Sequence, residues 1–140
     1  MPAIIDTSAV VAALDRRDPD FAAVTATLAK ERSVVFLPVV ALPEVAYVIA
    51  SRRGHVTAAS AIGRIISGSW PIAGLEGADL HRAAELMGRY ADAQISFVDA
   101  AITALAERLG AVRIYTLDRR DFSILRPRHV DAFEILPSVS

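Results

Sequence analysis

Three acids stand inside segments otherwise made of core-forming residues: Ile4-Ile5-Asp6, Val98-Asp99-Ala100-Ala101 and Tyr115-Thr116-Leu117-Asp118. A fourth, Glu44, follows Pro43 in an apolar stretch running from Val34 to Ala50. Each has an ordinary structural explanation. Asp6 can serve a turn or a cap. Glu44 suits the first turn of a helix, where the macrodipole favours an anion. Asp99 completes Ser96-x-x-Asp99, which has the form of a capping box. Asp118 can cap the turn that carries Arg119 and Arg120. Together they are harder to explain that way. Two carboxylates about 4 Å apart repel by ~4 kcal/mol at an effective dielectric of about 20, so a rim that gathers several must bind a cation or raise a pKa. Hard oxygen donors with few others among them suit Mg²⁺ or Mn²⁺.

The remaining ionisable residues make weaker cases. His55, His81 and His129 are scattered without metal-ligand spacing and read as surface or structural. Asp15, Asp18 and Asp20 crowd one loop but lack the Gly and Glu of a calcium loop. Glu31, Glu85 and Glu107 read as polar helix faces. Asp121, close behind Asp118, is a candidate accessory ligand. The absence of cysteine excludes thiolate metal sites, disulfides and a cysteine nucleophile. Lys30 is the only lysine; the other cations are arginines, which suit phosphate through their planar fork. Arg113, Arg119, Arg120, Arg126 and Arg128 concentrate in the last third, with Arg16-Arg17 and Arg52-Arg53 as further pairs. Most read as solvated residues of an arginine-rich chain. Arg119 and Arg120 are the ones worth testing as phosphate contacts.

The elements that must position the acids alternate. Ala3–Ile5 and Val34–Leu37 read as buried strands, Trp70–Ala73 as a weak one, Val112–Thr116 as a clear one and Ala132–Leu136 as a last possible one. Helices are expected from Ala9 to about Leu14 with Thr7 or Ser8 as cap, from Asp20 to Lys30, and after Pro38 to Arg53-Gly54. Others are expected from Val56 to Gly68, from Ala78 to Tyr90 with Leu80, Ala83, Ala84 and Met87 inward, and from Ala100 to Leu109 with Gly110 as stop. Alternating β and α units imply an α/β fold, a parallel sheet with helices on both faces. Ligands then bind beyond the carboxyl ends of the strands, where Asp6 and Asp118 stand and to which Glu44 and Asp99 lie close.

The 140 residues are one domain's worth, 1–140. Hydrophobic residues make up 54% of the chain, with a mean hydropathy of +0.40. So much apolar surface on so short a chain predicts a homodimer or another protein partner. Val34–Ala50 is interrupted by Pro38, Pro43 and Glu44 and falls short of the ~20 apolar residues of a membrane span. With no signal-like opening, a cytoplasmic protein is the simplest expectation. Net charge is −1, so no global basic signature marks a nucleic-acid binder.

Four segments in order resemble a known family. Asp6-Thr7-Ser8-Ala9 after a short strand is similar to the opening of PIN domains, especially the VapC toxins of toxin–antitoxin operons. Leu42-Pro43-Glu44-Val45, Phe97-Val98-Asp99-Ala100-Ala101-Ile102 and Thr116-Leu117-Asp118-Arg119-Arg120-Asp121-Phe122 resemble the second, third and fourth motifs. Pro43 before Glu44 departs from the pattern and is tolerable only if the helix has barely begun. The resemblance implies a three-layer α/β/α sandwich with a central, mostly parallel sheet, and a Mg²⁺- or Mn²⁺-dependent endoribonuclease. Asp6, Glu44, Asp99 and Asp118 would be the catalytic metal ligands, directly or through water, with Ser8 and Thr116 as supporting hydroxyls. It also implies a homodimer and a VapB-type antitoxin partner. An inert PIN-like interaction module is the rival, weakened because all four acidic positions are filled. Receiver domains need a lysine near the site, and haloacid-dehalogenase-like phosphatases need Asp-x-Asp where Asp6-Thr7-Ser8 stands. Dinucleotide and P-loop sites need glycine-rich turns that are lacking.

Overall fold

The computed structural model describes residues 1–139. Five strands, β1 (Ala3–Ile5), β2 (Val35–Pro38), β3 (Ile72–Ala73), β4 (Arg113–Tyr115) and β5 (Glu134–Leu136), form one sheet in the order β3-β2-β1-β4-β5. Every pairing is parallel. Seven helices connect them: α1 (Thr7–Leu14), α2 (Phe21–Ala29), α3 (Leu42–Arg53), α4 (His55–Ile66), α5 (Gly77–Arg89), α6 (Phe97–Leu109) and α7 (Arg119–Ile124). The chain builds the sheet outward from β1 to β3, then returns to place β4 on the other side of β1. The strand order therefore reverses between β1 and β4, where open parallel sheets leave a crevice.

Side-chain alternation along the strands divides the interior into two cores. Ala3, Ile5, Val35, Leu37 and Tyr115 face the helices α1 to α4. Ile4 and Ile114 face the opposite way, toward α5, α6 and Phe122 of α7. The arrangement is the expected three-layer sandwich. Among the described residues no helix is long and apolar enough to cross a membrane.

Pro43 falls at the second position of α3, where its missing N–H leaves no helical bond unmade. Gly110 ends α6 in the left-handed region (φ 71°) and donates its N–H to Ala106, a conformation that favours glycine.

Several expectations are corrected. Neither Thr7 nor Ser8 caps α1: the helix begins at Thr7, with Asp6 in the cap position and no side-chain cap bond. The short helix α7 was not foreseen. The inner face of α5 is Asp79, Arg82, Ala83 and Leu86, whereas Leu80, Ala84 and Met87 are exposed. Polar groups turn inward because α6 supplies their partners. Arg82 donates Nε and Nη2 to the two carboxylate oxygens of Glu107 at 2.8 and 2.9 Å, and Arg108 of α6 donates to Asp79 at 3.0 Å. Glu107 is thus no solvated residue.

Glu31 is not solvated either. It accepts Arg113 Nε and Nη2, each at 2.8 Å, the Tyr115 hydroxyl at 2.9 Å and the Ser33 N–H at 3.1 Å. Arg113 also donates to the carbonyl of Met1, so the cluster ties the β1 and β4 entrances to the end of α2. The Arg113 hydrogen bonds hold the Glu31 carboxyl down at about 2. A depressed acid contributes stability that is present above its unfolded pKa and disappears as pH falls through the folded value. Stability is therefore expected to drop between about pH 4.5 and 2. Glu31→Gln is expected to lose roughly 2 kcal/mol at neutral pH, the scale of charged hydrogen bonds, and to flatten that acid limb in denaturant melts. An unchanged acid limb would place the sensitivity elsewhere.

Candidate active site

A cleft of about 1180 Å³ opens at the carboxyl ends of β1 and β4, the reversal point of the sheet. Asp6, Glu44, Asp99, Asp118 and Asp121 all line it, with Ser8 and Ser96. The four acids singled out in the sequence thus meet at one rim, although the first and last stand 112 positions apart in the chain.

Asp6 is the first residue beyond β1. Its N–H donates to the Tyr115 carbonyl at 2.8 Å, which extends the sheet by one bond and fixes the carboxylate at the strand end. Thr116, fully buried beside it, donates its hydroxyl to Asp6 Oδ2 at 3.0 Å. Ser8 Oγ lies 3.2 Å from the Thr116 hydroxyl and accepts the Leu117 N–H at 2.9 Å. The two hydroxyls lock the turn after β4 onto the start of α1, and that turn carries Asp118. Asp118 itself stands in the cap position of α7 without a side-chain cap bond. It is exposed, so its carboxylate is left free in the cleft.

Glu44 enters from α3. Its Oε1 accepts the Thr7 hydroxyl at 2.8 Å, the hydroxyl expected to serve as a cap. Asp99 comes from the first turn of α6. Ser96 accepts its N–H at 3.1 Å, but among the described residues no return bond from the Asp99 carboxylate completes a capping box. A complete box occurs instead at α5, between Glu76 and Asp79. The capping explanation therefore accounts for Ser96 and leaves the Asp99 carboxylate available.

The electrostatics are strained in one direction. Burial, then the Asp121 carboxyl beside it, then the charges of Asp6, Asp121 and Asp118 push Asp99 up to about 9. Burial also raises Asp6, against hydrogen bonds from the Thr7 N–H and Thr116 that lower it, with Glu44 and Asp118 adding repulsion. Without a cation the site cannot carry its full negative charge. A divalent ion would relieve that strain, and the donors are hard oxygens throughout. Among the described residues no three His, Cys, Asp or Glu side chains are gathered closely enough to hold a metal ion by themselves.

The arginines are distributed differently from the sequence expectation. Arg119 donates to the carbonyls of Ile135 and Pro137, which clasps α7 to the β5 end. Arg120 pairs with Asp121 at 2.7 Å and donates to the Ala93 carbonyl. Arg113 belongs to the Glu31 cluster, and Arg128 pairs with Glu85 and donates its N–H to Glu107. His129 bonds the Ala111 carbonyl at 2.6 Å, a structural role as expected. Sequence reasoning passed over Tyr47 and the pair Asp18 and Arg52 as parts of the site. All three line the cleft, and Tyr47, one turn after Glu44 on α3, is 74% exposed. Its spacing of three from Glu44 was the available signal.

Comparison with known proteins agrees with this architecture. The family model described as PIN domain matches residues 3–126. The chain is 34% identical to Ribonuclease VapC26 of Mycobacterium tuberculosis over 96% of its own length and 99% of that protein. Among solved structures it is similar to M. tuberculosis VapC20, described as a sarcin-ricin loop cleaving toxin, with a TM-score of 0.79 and 24% identity. That alignment covers 91% of this chain and 98% of VapC20. It is similar also to VapBC2 of Rickettsia felis, solved bound to a promoter DNA fragment, with a TM-score of 0.70, 17% identity, and 96% and 97% covered. With the acids in order at the reversal of a parallel sheet and this match along most of its length, the chain belongs to the PIN-domain family.

Proposed function

We propose that the protein is a VapC-type endoribonuclease toxin whose Asp6, Glu44, Asp99 and Asp118 hold Mg²⁺ or Mn²⁺ and whose cleft cuts RNA phosphodiester bonds. The observation that carries this reading is the convergence of these acids in one cleft, two of them pushed above their ordinary range when no cation is counted. VapC ribonucleases with PIN domains depend in general on a divalent metal. When bound, the ion supplies Lewis acidity toward the scissile phosphate and lowers the pKa of a coordinated water. The chain's own residues set the geometry. Thr116 holds Asp6, Thr7 holds Glu44, and Ser8 holds the turn that presents Asp118. Asp121 stands beside Asp99 as an accessory acid, and its carboxyl is one of the causes that raise Asp99.

Relatives solved as VapBC pairs support a VapB-type antitoxin as partner. Exposed Val56, Ile66, Leu80 and Met87 leave apolar surface for such a partner or for a second copy. An enzyme acting on cellular RNA works in the cytoplasm. The rival reading, an inert interaction module, has no use for an uncompensated acidic cleft.

Purified protein free of antitoxin, incubated with total RNA and Mg²⁺ or Mn²⁺, is expected to give discrete fragments that vanish with EDTA. Fragments that persist at undiminished yield in EDTA would contradict the metal-dependent reading.

A further inference from the structure

The cleft that takes the scissile phosphate is poorly suited to hold the rest of a polyanion. Seven acids line it, and Arg52 is the single basic side chain among its lining residues. A bound divalent ion neutralises part of that charge at the reacting phosphate only. Affinity for the flanking phosphates must come from cations outside the cleft. Arg119 and Arg120 are engaged with carbonyls and with Asp121.

A second cavity, about 330 Å³, adjoins the first between α1, α3 and α4. The two share Val11 and Arg52 as wall residues. Its lining includes Arg17, Arg52, Arg53 and Arg64 against one acid, Asp15. Arg53 donates to Asp15 at 2.8 Å, which orders the guanidinium and holds the carboxyl below its usual range. Asp15 offsets one of the four arginines and Asp18, across the shared wall, faces Arg52, so a net positive charge remains. Arg64, in the last turn of α4, is exposed and has no hydrogen-bond or ion-pair partner among the described residues. Arg17 is 71% exposed and stands 3.7 Å from the same Asp15. Arg52, 3.7 Å from Asp18, lies where the acidic and basic cavities meet.

We infer that this arginine-lined cavity is a subsite for backbone phosphates of the RNA flanking the scissile bond, with Arg52 at the junction; the inference rests on the ribonuclease reading above. The acidic cleft and the basic cavity then divide the work. One activates a single phosphate, and the other holds the strand without reading its bases. Guanidinium forks suit phosphate oxygens, and the shared wall makes the path continuous.

Binding of a short, fluorescein-labelled single-stranded RNA of mixed sequence tests this, measured by anisotropy across a salt series. Every protein in the series carries Asp99→Asn so that the RNA survives. Arg64→Gln is expected to weaken binding about 10-fold, the scale of one charge-assisted contact. It should also make the dependence of log K on log salt shallower by about 0.7, one phosphate on a single strand. Adding Arg17→Gln should deepen both effects, and both side chains are exposed. In the active protein the same changes should raise KM and leave kcat at saturating RNA unaltered. RNA bound with unchanged affinity and salt slope, while the active protein still cuts, overturns the inference alone. Arginine variants that spare RNA binding but release the antitoxin overturn it too, and assign the cavity to an acidic protein segment. RNA neither bound nor cut by the unsubstituted protein removes the ribonuclease reading, and this inference with it.

Discussion

Asp99→Asn is expected to lower RNA cleavage by more than about 100-fold and to leave the fold at least as stable as before. The activity loss follows from removing a charged oxygen from the set that holds the metal, since even residues one shell farther out cost ~10–100-fold. The stability result follows from the same crowding. In the cation-free fold Asp99 keeps its proton up to about 9, whereas the unfolded chain gives it up near the ordinary 3.8. Between those values the unfolded state binds fewer protons, so metal-free stability declines as pH rises, by at most roughly 1.4 kcal/mol per pH unit from this group. Asparagine resembles the protonated acid and cannot ionise. The variant should therefore equal the original protein near pH 4 and exceed it increasingly toward pH 9. Adding Mn²⁺ should raise the melting temperature of the original protein and do much less for the variant. A variant that melts lower at every pH would make Asp99 a structural residue.

The largest expected loss of stability lies far from the cleft. Arg82→Ala is expected to cost about 3 kcal/mol, the scale of leaving a buried partner charge alone. For a domain of this size that is a fall of roughly 10 °C in Tm. Arg82 is 7% exposed, and the Glu107 side chain it grips is 11% exposed. Desolvation is the largest influence on Glu107 and works against its charge; the Arg82 hydrogen bond, the Arg128 N–H and the charges of both arginines together more than offset it, leaving the carboxyl below its usual range. Without Arg82, the Arg128 N–H is the one donor left to Glu107 among the described residues. Removing both charges together, Arg82→Met with Glu107→Leu, should restore most of the loss, because apolar residues need no partner there. A double variant as unstable as Arg82→Ala would mean that packing, not the orphaned carboxylate, dominates.

These two cases also show what a sequence displays and what it hides. The strands Ala3–Ile5 and Arg113–Tyr115 are legible because Ile4-Ile5 and Ile114-Tyr115 are β-branched and aromatic residues with nowhere to go but a buried parallel sheet. Asp6 and Asp118 are legible for the same reason, since an acid directly after such a strand is placed by the strand itself. The inner face of α5 is not legible. Arg82 and Asp79 point inward only because Glu107 and Arg108 of α6 await them, and helical periodicity treats charged residues as outward-facing. Thr7 looked like a cap because caps are local. Its actual partner, Glu44, is 37 residues away. The six-residue α7 was missed because Arg119-Arg120-Asp121 carries turn-like polarity and Asp118 supplies no cap bond. Closeness in sequence is also a poor guide to which arginines flank the acids. Arg113 is close to Asp118 in sequence but stands at the opposite end of β4, at about 3.3 Å of rise per residue.

The central claim joins one cleft, one cation and one reaction. Its most direct test is a Mn²⁺ titration in which metal occupancy and RNA cleavage are followed on the same samples, for the original protein and for Asp99→Asn. The account predicts that cleavage rises with occupancy in the original protein and that both collapse in the variant. Full cleavage by Asp99→Asn, or cleavage that ignores occupancy, would contradict it.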